Sequence, residues 1–323
     1  VNYLAFVSLK IIIIYVDKYF YKVVLYTTIY ENEIGEILMA KNSNPLQGYL
    51  RSPKLYVLLP SGGKFSNIES ISDISQELPI YPLTSMDETL LRNPDALLNG
   101  ESMAKVITSC TGIQNAYELT ANDVDVILLA IRYATYGNDL EISTPCTECN
   151  ATVEKTVEIE PILETIEVLE DSYMVTLDNN LRCYLKPYTL RDSQKAALSA
   201  FRETSELNTL INAEADEMAK LTTFNKSFQA MADLNIEILS NAVVKVIIPA
   251  IEDTEQVEVT NKNHIEEWVR GISKQHADVI IDELNVINEL GVQREVEATC
   301  EACTNTFKTK IEFNPSNFFD LTS

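Results

Sequence analysis

The sequence predicts an α+β protein: a helical unit and a long helical insertion around a small antiparallel, zinc-ribbon-like module with four cysteines. Three observations carry this. Cys-x-x-Cys occurs twice, at Cys146/Cys149 and Cys300/Cys303, each time within alternating apolar and polar residues. Residues 85–136 carry the cap and stop signals of short helices. Residues 190–249 hold no Gly and one Pro, at 249, which permits long helices.

The two cysteine pairs lie in a near-repeat. Glu141 to Val153 (EISTPCTECNATV) is mirrored by Glu295 to Phe307 (EVEATCEACTNTF), and Thr156 to Pro161 is set against Lys310 to Pro315. Each copy reads as a hairpin with thiols at its turn. Tetrahedral zinc takes four soft donors, and one Cys-x-x-Cys knuckle supplies two of them, so Cys146, Cys149, Cys300 and Cys303 are the candidate ligands of one structural Zn2+. The usual ribbon separates its knuckles by roughly 15–20 residues; here a long insertion must loop out and return. Two rival readings stay open, a thioredoxin-like redox pair and ordinary buried cysteines. A redox pair needs its first Cys at a helix N-terminus to lower its pKa, whereas strand-like residues flank both pairs. Cys110 and Cys183 sit in apolar contexts and read as core.

Composition bounds the rest. A chain of 323 residues that is 46% hydrophobic buries a sizeable core in one large or two ordinary domains. Its 48 acidic residues against 25 basic ones give a net charge of −23, which repels phosphate backbones and disfavours nucleic acid as a partner. The acidity reads as a solvated surface or as a docking face for a basic protein. Nothing suggests a secreted disulfide framework, so a reducing compartment is expected.

In chain order, residues 1–38 stand apart. They hold six of the fifteen tyrosines and the run Ile11-Ile12-Ile13-Ile14-Tyr15-Val16. Lys10, Asp17, Lys18 and Lys22 interrupt that run below the ~18 apolar residues of a membrane span, so no membrane anchor is expected. The composition suits translated AT-rich non-coding DNA, with Met39-Ala40 as the start; the competing reading is a β-prone arm that docks on a neighbour. Strands are expected at Leu55–Leu59 and near Ile80–Leu83. Between them, Pro60-Ser61-Gly62-Gly63-Lys64 lacks the first Gly and the Ser/Thr of a Walker A loop and reads as a turn.

Ser85 with Glu88 is spaced as a capping box, Asn93-Pro94 as a helix start, and Gly112 as a stop. Thr120 caps a helix whose core face includes Val124, Leu128, Ile131 and Ala134, stopped at Tyr136-Gly137-Asn138. A hairpin follows, Tyr173–Leu177 and Leu181–Leu185 around Asp178-Asn179-Asn180. Leu198, Phe201, Leu207 and Leu210, then Met218, Leu221 and Phe224, then Leu234 to Val243, mark long helices, read either as a hairpin packed on the strands or as an exposed coiled-coil arm. Asp253–Gln256 is a turn before Val257-Glu258-Val259. Helices Ile265–Ile272 and His276–Leu290 end at Gly291, with Trp268 in the core. The divisions expected are 1–38; an entry and helical unit, 39–137; the zinc-ribbon-like module, 138–161 with 294–315; a β-hairpin, 162–190; the helical insertion, 191–293; and a tail, 316–323.

Several of these segments together, Leu59-Pro60-Ser61-Gly62-Gly63-Lys64-Phe65, Thr84–Glu88, Pro94–Glu101, Ser109-Cys110, Asp123–Asp125, Ala130–Arg132, Thr135–Gly137 and the Cys146/Cys149 pair, resemble the baseplate hub family of T-even-type contractile-tailed bacteriophages. The resemblance covers residues 55–160 well. The Cys300/Cys303 hairpin with Asn314-Pro315 and Phe318-Phe319 is similar to the family's C-terminal end, and 190–290 matches in helical character. It implies a virion or assembly role among other baseplate, tube or spike proteins, assembly in the host cytoplasm, and no catalytic residues.

The residues themselves point the same way. There is no G-x-G-x-x-G, G-x-S-x-G or H-E-x-x-H. His264 and His276 read as solvated surface, and Asp123 and Asp125 as favouring a helix N-terminus. Two functions remain: a permanent structural subunit of the central baseplate, or a soluble assembly factor that leaves before the particle is finished.

Overall fold

The computed structural model describes residues 46, 49–65, 77–92, 100–212, 217–250 and 255–311. The readings of residues 1–38, of the Asn93-Pro94 helix start, of Asp253-Thr254, of Asn314-Pro315 and of the tail from 316 lie outside them. The chain forms two compact units, Val1–Arg51 and Ser52–Ser323. In the first, the Tyr49 N–H donates to the Leu46 carbonyl over 2.9 Å.

The second unit begins with a short antiparallel pair, β1 (Leu55–Val57) and β2 (Leu78–Ile80). Helix α1 (Ser85–Leu91) is capped one residue earlier than the sequence suggested. Thr84 and Asp87 form the capping box, because the Asp87 carboxylate is buried where it also accepts the Ser109 hydroxyl at 3.2 Å. Helix α2 (Glu101–Thr111) stops at Gly112, whose φ of 83° is the left-handed C-cap that glycine adopts without strain. Helix α3 (Ala121–Tyr136) starts at the Thr120 cap and ends at Gly137. Its burial exceeds the single face expected: every residue from Asn122 to Arg132 is buried, because β1, β2 and α2 pack around it along with later helices. A helix buried on every side lies inside a core rather than on one.

After α3, strands β3 (Asp139–Pro145) and β4 (Thr152–Glu158) form a hairpin, followed by the short helix α4 (Ile159–Glu164). Strands β5 (Tyr173–Thr176) and β6 (Arg182–Leu185) are the expected second hairpin. It belongs to a larger sheet. Helices α5 (Leu190–Asn212) and α6 (Glu217–Ala242) run out and back, and the chain re-enters as β7 (Val243–Ile248), then β8 (Val257–Val259). The order is β5-β6-β7-β8, antiparallel throughout. The sequence reading carried the helix through Val243; the β-branched run VVKVII instead completes the sheet. Helices α7 (Lys262–Gly271) and α8 (Lys274–Glu289) cover it, with Ile265, Val269, Ile280, Leu284 and Ile287 packed against Tyr173, Val175, Cys183 and Val246. Trp268 joins this core at its edge. Strands β9 (Glu295–Thr299) and β10 (Thr306–Lys310) form the last hairpin. Among the described residues no helix is long and apolar enough to cross a membrane.

The turn after β1 ties these layers together. Gly62 and Gly63 have φ of 53° and 76°, which folds the turn back so that Ser61 points into the protein. There Ser61 donates to the Asp123 carboxylate twice, from its backbone N–H at 2.9 Å and its hydroxyl at 2.6 Å. Asp123 is fully buried; desolvation raises its pKa, while hydrogen bonds from Ser61 and Thr120 act the other way. One residue earlier, the Asn122 amide donates to the carbonyls of Ile287 and Leu290 at 3.0 and 2.8 Å, closing the C-terminal end of α8.

Gly291 completes the junction. Its φ is 98°, and a Cβ there would meet Pro60 Cγ at 3.3 Å and Asn122 Cβ at 3.4 Å. Gly291→Ala should therefore cost about 1–2 kcal/mol of unfolding free energy, from the left-handed backbone and the tight approach together. Urea denaturation reads this; a loss below about 0.3 kcal/mol would mean that the junction relaxes freely.

Candidate metal centre

The Cys-x-x-Cys turns join β3 to β4 and β9 to β10, and the two are built alike. In the first, the Cys146 N–H donates to the Ala151 carbonyl at 2.8 Å and the Asn150 N–H to the Cys146 carbonyl at 3.0 Å. In the second, the Cys300 N–H donates to the Asn305 carbonyl at 2.9 Å and the Thr304 N–H to the Cys300 carbonyl at 2.8 Å. Asn150 and Thr304, at matching places, both have φ of 57°. The near-repeat in sequence is thus a repeat in backbone, and each turn aims two sulfurs the same way.

The fold brings the turns face to face. All four sulfurs lie within 4.8 Å of one another. Cys146 and Cys303 are 3.5 Å apart and Cys149 and Cys300 are 3.6 Å apart, both from one hairpin to the other. A disulfide would place sulfurs about 2.05 Å apart, and all four cysteines are free thiols. Four sulfurs at about 2.3 Å from one ion stand ~3.8 Å from each other by tetrahedral geometry, so the cluster needs little movement to accept one.

Cys146 and Cys300 are buried among Val153, Ala298, Ala151 and Phe307, while Cys149 and Cys303 face outward. The backbone N–H groups of Cys149 and Glu148 point at the Cys146 sulfur and pull its pKa down to about 6. For Cys303 the Asn305 N–H is the strongest single influence and also lowers it, but the thiols of Cys149, Cys146 and Cys300, with burial, outweigh it and push it up to about 12. Four thiols this close compete for charge, and a divalent cation removes the conflict by taking thiolates. Cys183 stands in contrast: buried in the sheet core, its thiol is pushed up to about 11 by desolvation alone. Cys110 is likewise core.

The hairpins remain two separate two-stranded sheets among the described residues. Side chains join them. Thr144 and Thr309 share a hydroxyl hydrogen bond at 3.0 Å, the Lys155 ammonium donates to the Glu297 carbonyl, and the Asn305 amide reaches Thr147 Oγ1 at 3.2 Å and the Cys146 sulfur at 4.0 Å. Asn305 went unnoticed in the sequence. Its signal was there, since it stands where the first copy has Ala151 and so breaks the repeat.

Other residues singled out in the sequence fall elsewhere. His264 is exposed, but His276 is only half-exposed and pairs with Asp178 in the β5–β6 turn. Asp125 pairs with Arg294 beside the last hairpin.

The fold and site define an α+β protein in which two Cys-x-x-Cys hairpins, far apart in sequence, converge on one four-thiol cluster. The chain belongs to the T4 bacteriophage base plate protein family, whose model matches residues 55–320. No curated protein and no solved structure matches it. Family membership makes this a phage baseplate protein, at home in the virion tail and in contact with other tail or baseplate proteins.

Proposed function

We propose that the protein is a structural subunit of the central baseplate hub of a contractile tail, and that one zinc ion bound by Cys146, Cys149, Cys300 and Cys303 staples it. The carrying observation is that four sulfurs from turns 151 residues apart meet within 4.8 Å. Closing a loop that long costs about 2 kcal/mol more than closing the ~20-residue loop of an ordinary ribbon. Binding of structural zinc supplies on the order of 10 kcal/mol. The ion wins by a wide margin, and the all-sulfur donor set suits zinc or iron over harder cations.

A shell closed by four thiolates leaves no ligand position for substrate or activated water, and membership in a baseplate family points to a role without catalysis. The protein then acts through its surfaces, as a rigid block whose ends the ion holds together. Elemental analysis of reduced, freshly purified protein should return one zinc per chain. Mass spectrometry of purified tails should find the protein in mature particles. Absence from tails, with abundance in infected-cell extract, would instead make it an assembly factor; absence of bound metal would end the staple.

A further inference from the structure

The two knuckles map onto each other, and one side chain breaks the match. Exchanging the copies turns the Cys146–Cys303 approach of 3.5 Å into the Cys300–Cys149 approach of 3.6 Å, so the sulfur pairs obey the exchange. The turn backbones obey it too: Ala151 in one copy and Asn305 in the other offer their carbonyls to the first cysteine's N–H at 2.8 and 2.9 Å. Their side chains differ. Ala151 ends in a methyl group, whereas the Asn305 amide crosses to the opposite knuckle, donating to Thr147 Oγ1 at 3.2 Å and reaching Cys146 Sγ at 4.0 Å. The Asn305 backbone N–H points at Cys303 Sγ, so one residue donates to a sulfur of each hairpin.

The sulfurs differ in what else can satisfy them. Four thiolates around a divalent ion keep a net negative charge, and exposed Glu148 and Glu301 stand inside the same two turns. Cys149 and Cys303 face outward, where water can donate to sulfur. Cys146 is buried, so its sulfur depends on protein donors: the backbone N–H groups of Cys149 and Glu148 from its own turn, and the Asn305 amide from across the junction. A group that donates to a metal's ligand fixes the ligand's orientation and tempers its charge, and losing such a partner typically costs about 10–100-fold in metal affinity.

We propose that Asn305 is a positioning residue of the metal centre, a clasp that holds the Cys146 thiolate on the ion from the opposite knuckle and sets how long the metal stays. This rests on the reading that the four cysteines hold one zinc. Asn305 makes no bond to the metal and acts through Cys146. Opening the clasp leaves all four ligands in place, so the stoichiometry is kept while retention falls. The alanine of the first knuckle shows that the same turn backbone forms without an amide at that position.

Zinc release from the full chain into an excess of a chromogenic chelator tests this, with cobalt(II) loading as a second readout. Asn305→Ala, which copies the residue that the first turn already carries, should bind one ion and release it about 10-fold faster or more. Its thiolate-to-cobalt charge-transfer band should move to longer wavelength, because a sulfur that loses a hydrogen bond holds its electrons less tightly. Asn305→Asp separates the two contacts. The carboxylate can still accept from the Thr147 hydroxyl, but it faces the sulfur with negative charge in place of a donor, so zinc should leave at least as fast as from Asn305→Ala. Unchanged retention in Asn305→Ala, or an Asn305→Asp protein that holds zinc as the unmodified one does, overturns the clasp while one ion per unmodified chain upholds the staple. Faster release with an unmoved cobalt band makes Asn305 a structural tie and overturns the clasp as well. An unmodified chain that binds neither zinc nor cobalt overturns staple and clasp together.

Discussion

Replacing Cys146 or Cys300 with Ser should abolish stoichiometric metal binding and raise amide exchange in both knuckle hairpins together, Asp139–Glu158 and Glu295–Lys310. A serine hydroxyl stays protonated at neutral pH and cannot stand in for a thiolate. Without the ion, the hydrogen bonds between hairpins among the described residues are Thr144–Thr309, Asn305–Thr147 and Lys155–Glu297, each worth about 1 kcal/mol net at a solvated surface, beside a small apolar cluster of Val153 and Ala151 with Ala298 and Phe307. That sum is small against the on the order of 10 kcal/mol that zinc supplies. The hairpins should therefore part while the cores beneath them stay folded, since Leu140, Val157 and Ile311 still pack with the helical unit. Exchange measured peptide by peptide separates the cases. If Cys146→Ser loosens its own hairpin and leaves residues 306–310 protected, the two knuckles do not share an ion.

The thiol cluster was legible because cysteine spacing is chemistry written locally: two residues between thiols, strand alternation around them, and a second copy to supply the missing donors. Helix α3 was legible for a similar reason, since Thr120 and Gly137 mark its ends within the segment itself. What escaped was non-local. Val243–Ile248 is an apolar run joined without a break to a long helix, and periodicity over six residues cannot separate a buried strand from one more helical turn; the deciding partner, β6, lies some sixty residues earlier. The side of α5–α6 that faces water was equally hidden. The spacing of Leu221 and Phe224 announces an apolar stripe, but the sequence does not say whether the protein or a neighbour covers it. The family match runs over residues 55–320, so both cysteine turns and the helical insertion between them lie within one family's span.

The Ser61–Asp123 contact shows most clearly how a plain turn can hold a fold, and Asp123→Ala should cost about 3 kcal/mol of unfolding free energy. The turn read as nothing more than a chain reversal, yet its Ser61 is buried and spends both its N–H and its hydroxyl on Asp123. Removing the carboxylate strands two buried donors, each costing about 1–3 kcal/mol when left unmade. It also removes a buried charge, whose desolvation already raises the Asp123 pKa, so the loss falls short of the upper sum. The backbone consequences extend further. The Pro60 carbonyl accepts the Leu169 N–H at 2.8 Å, and Lys64 donates to the Leu169 carbonyl at 3.2 Å, so a turn that lifts off α3 also releases the irregular segment that leads into the four-stranded sheet. Asp123→Asn should cost less, about 1 kcal/mol, because the amide oxygen still accepts one bond and the serine oxygen can accept from the amide nitrogen. Ser61→Ala removes one of the two stranded donors in advance, so the double variant Ser61→Ala with Asp123→Ala should lose about 1–2 kcal/mol less than the sum of the single losses. Denaturant titration of the four proteins measures that coupling. Strict additivity would mean that serine and aspartate stabilise the fold independently, and that the turn is held to α3 by something other than this pair.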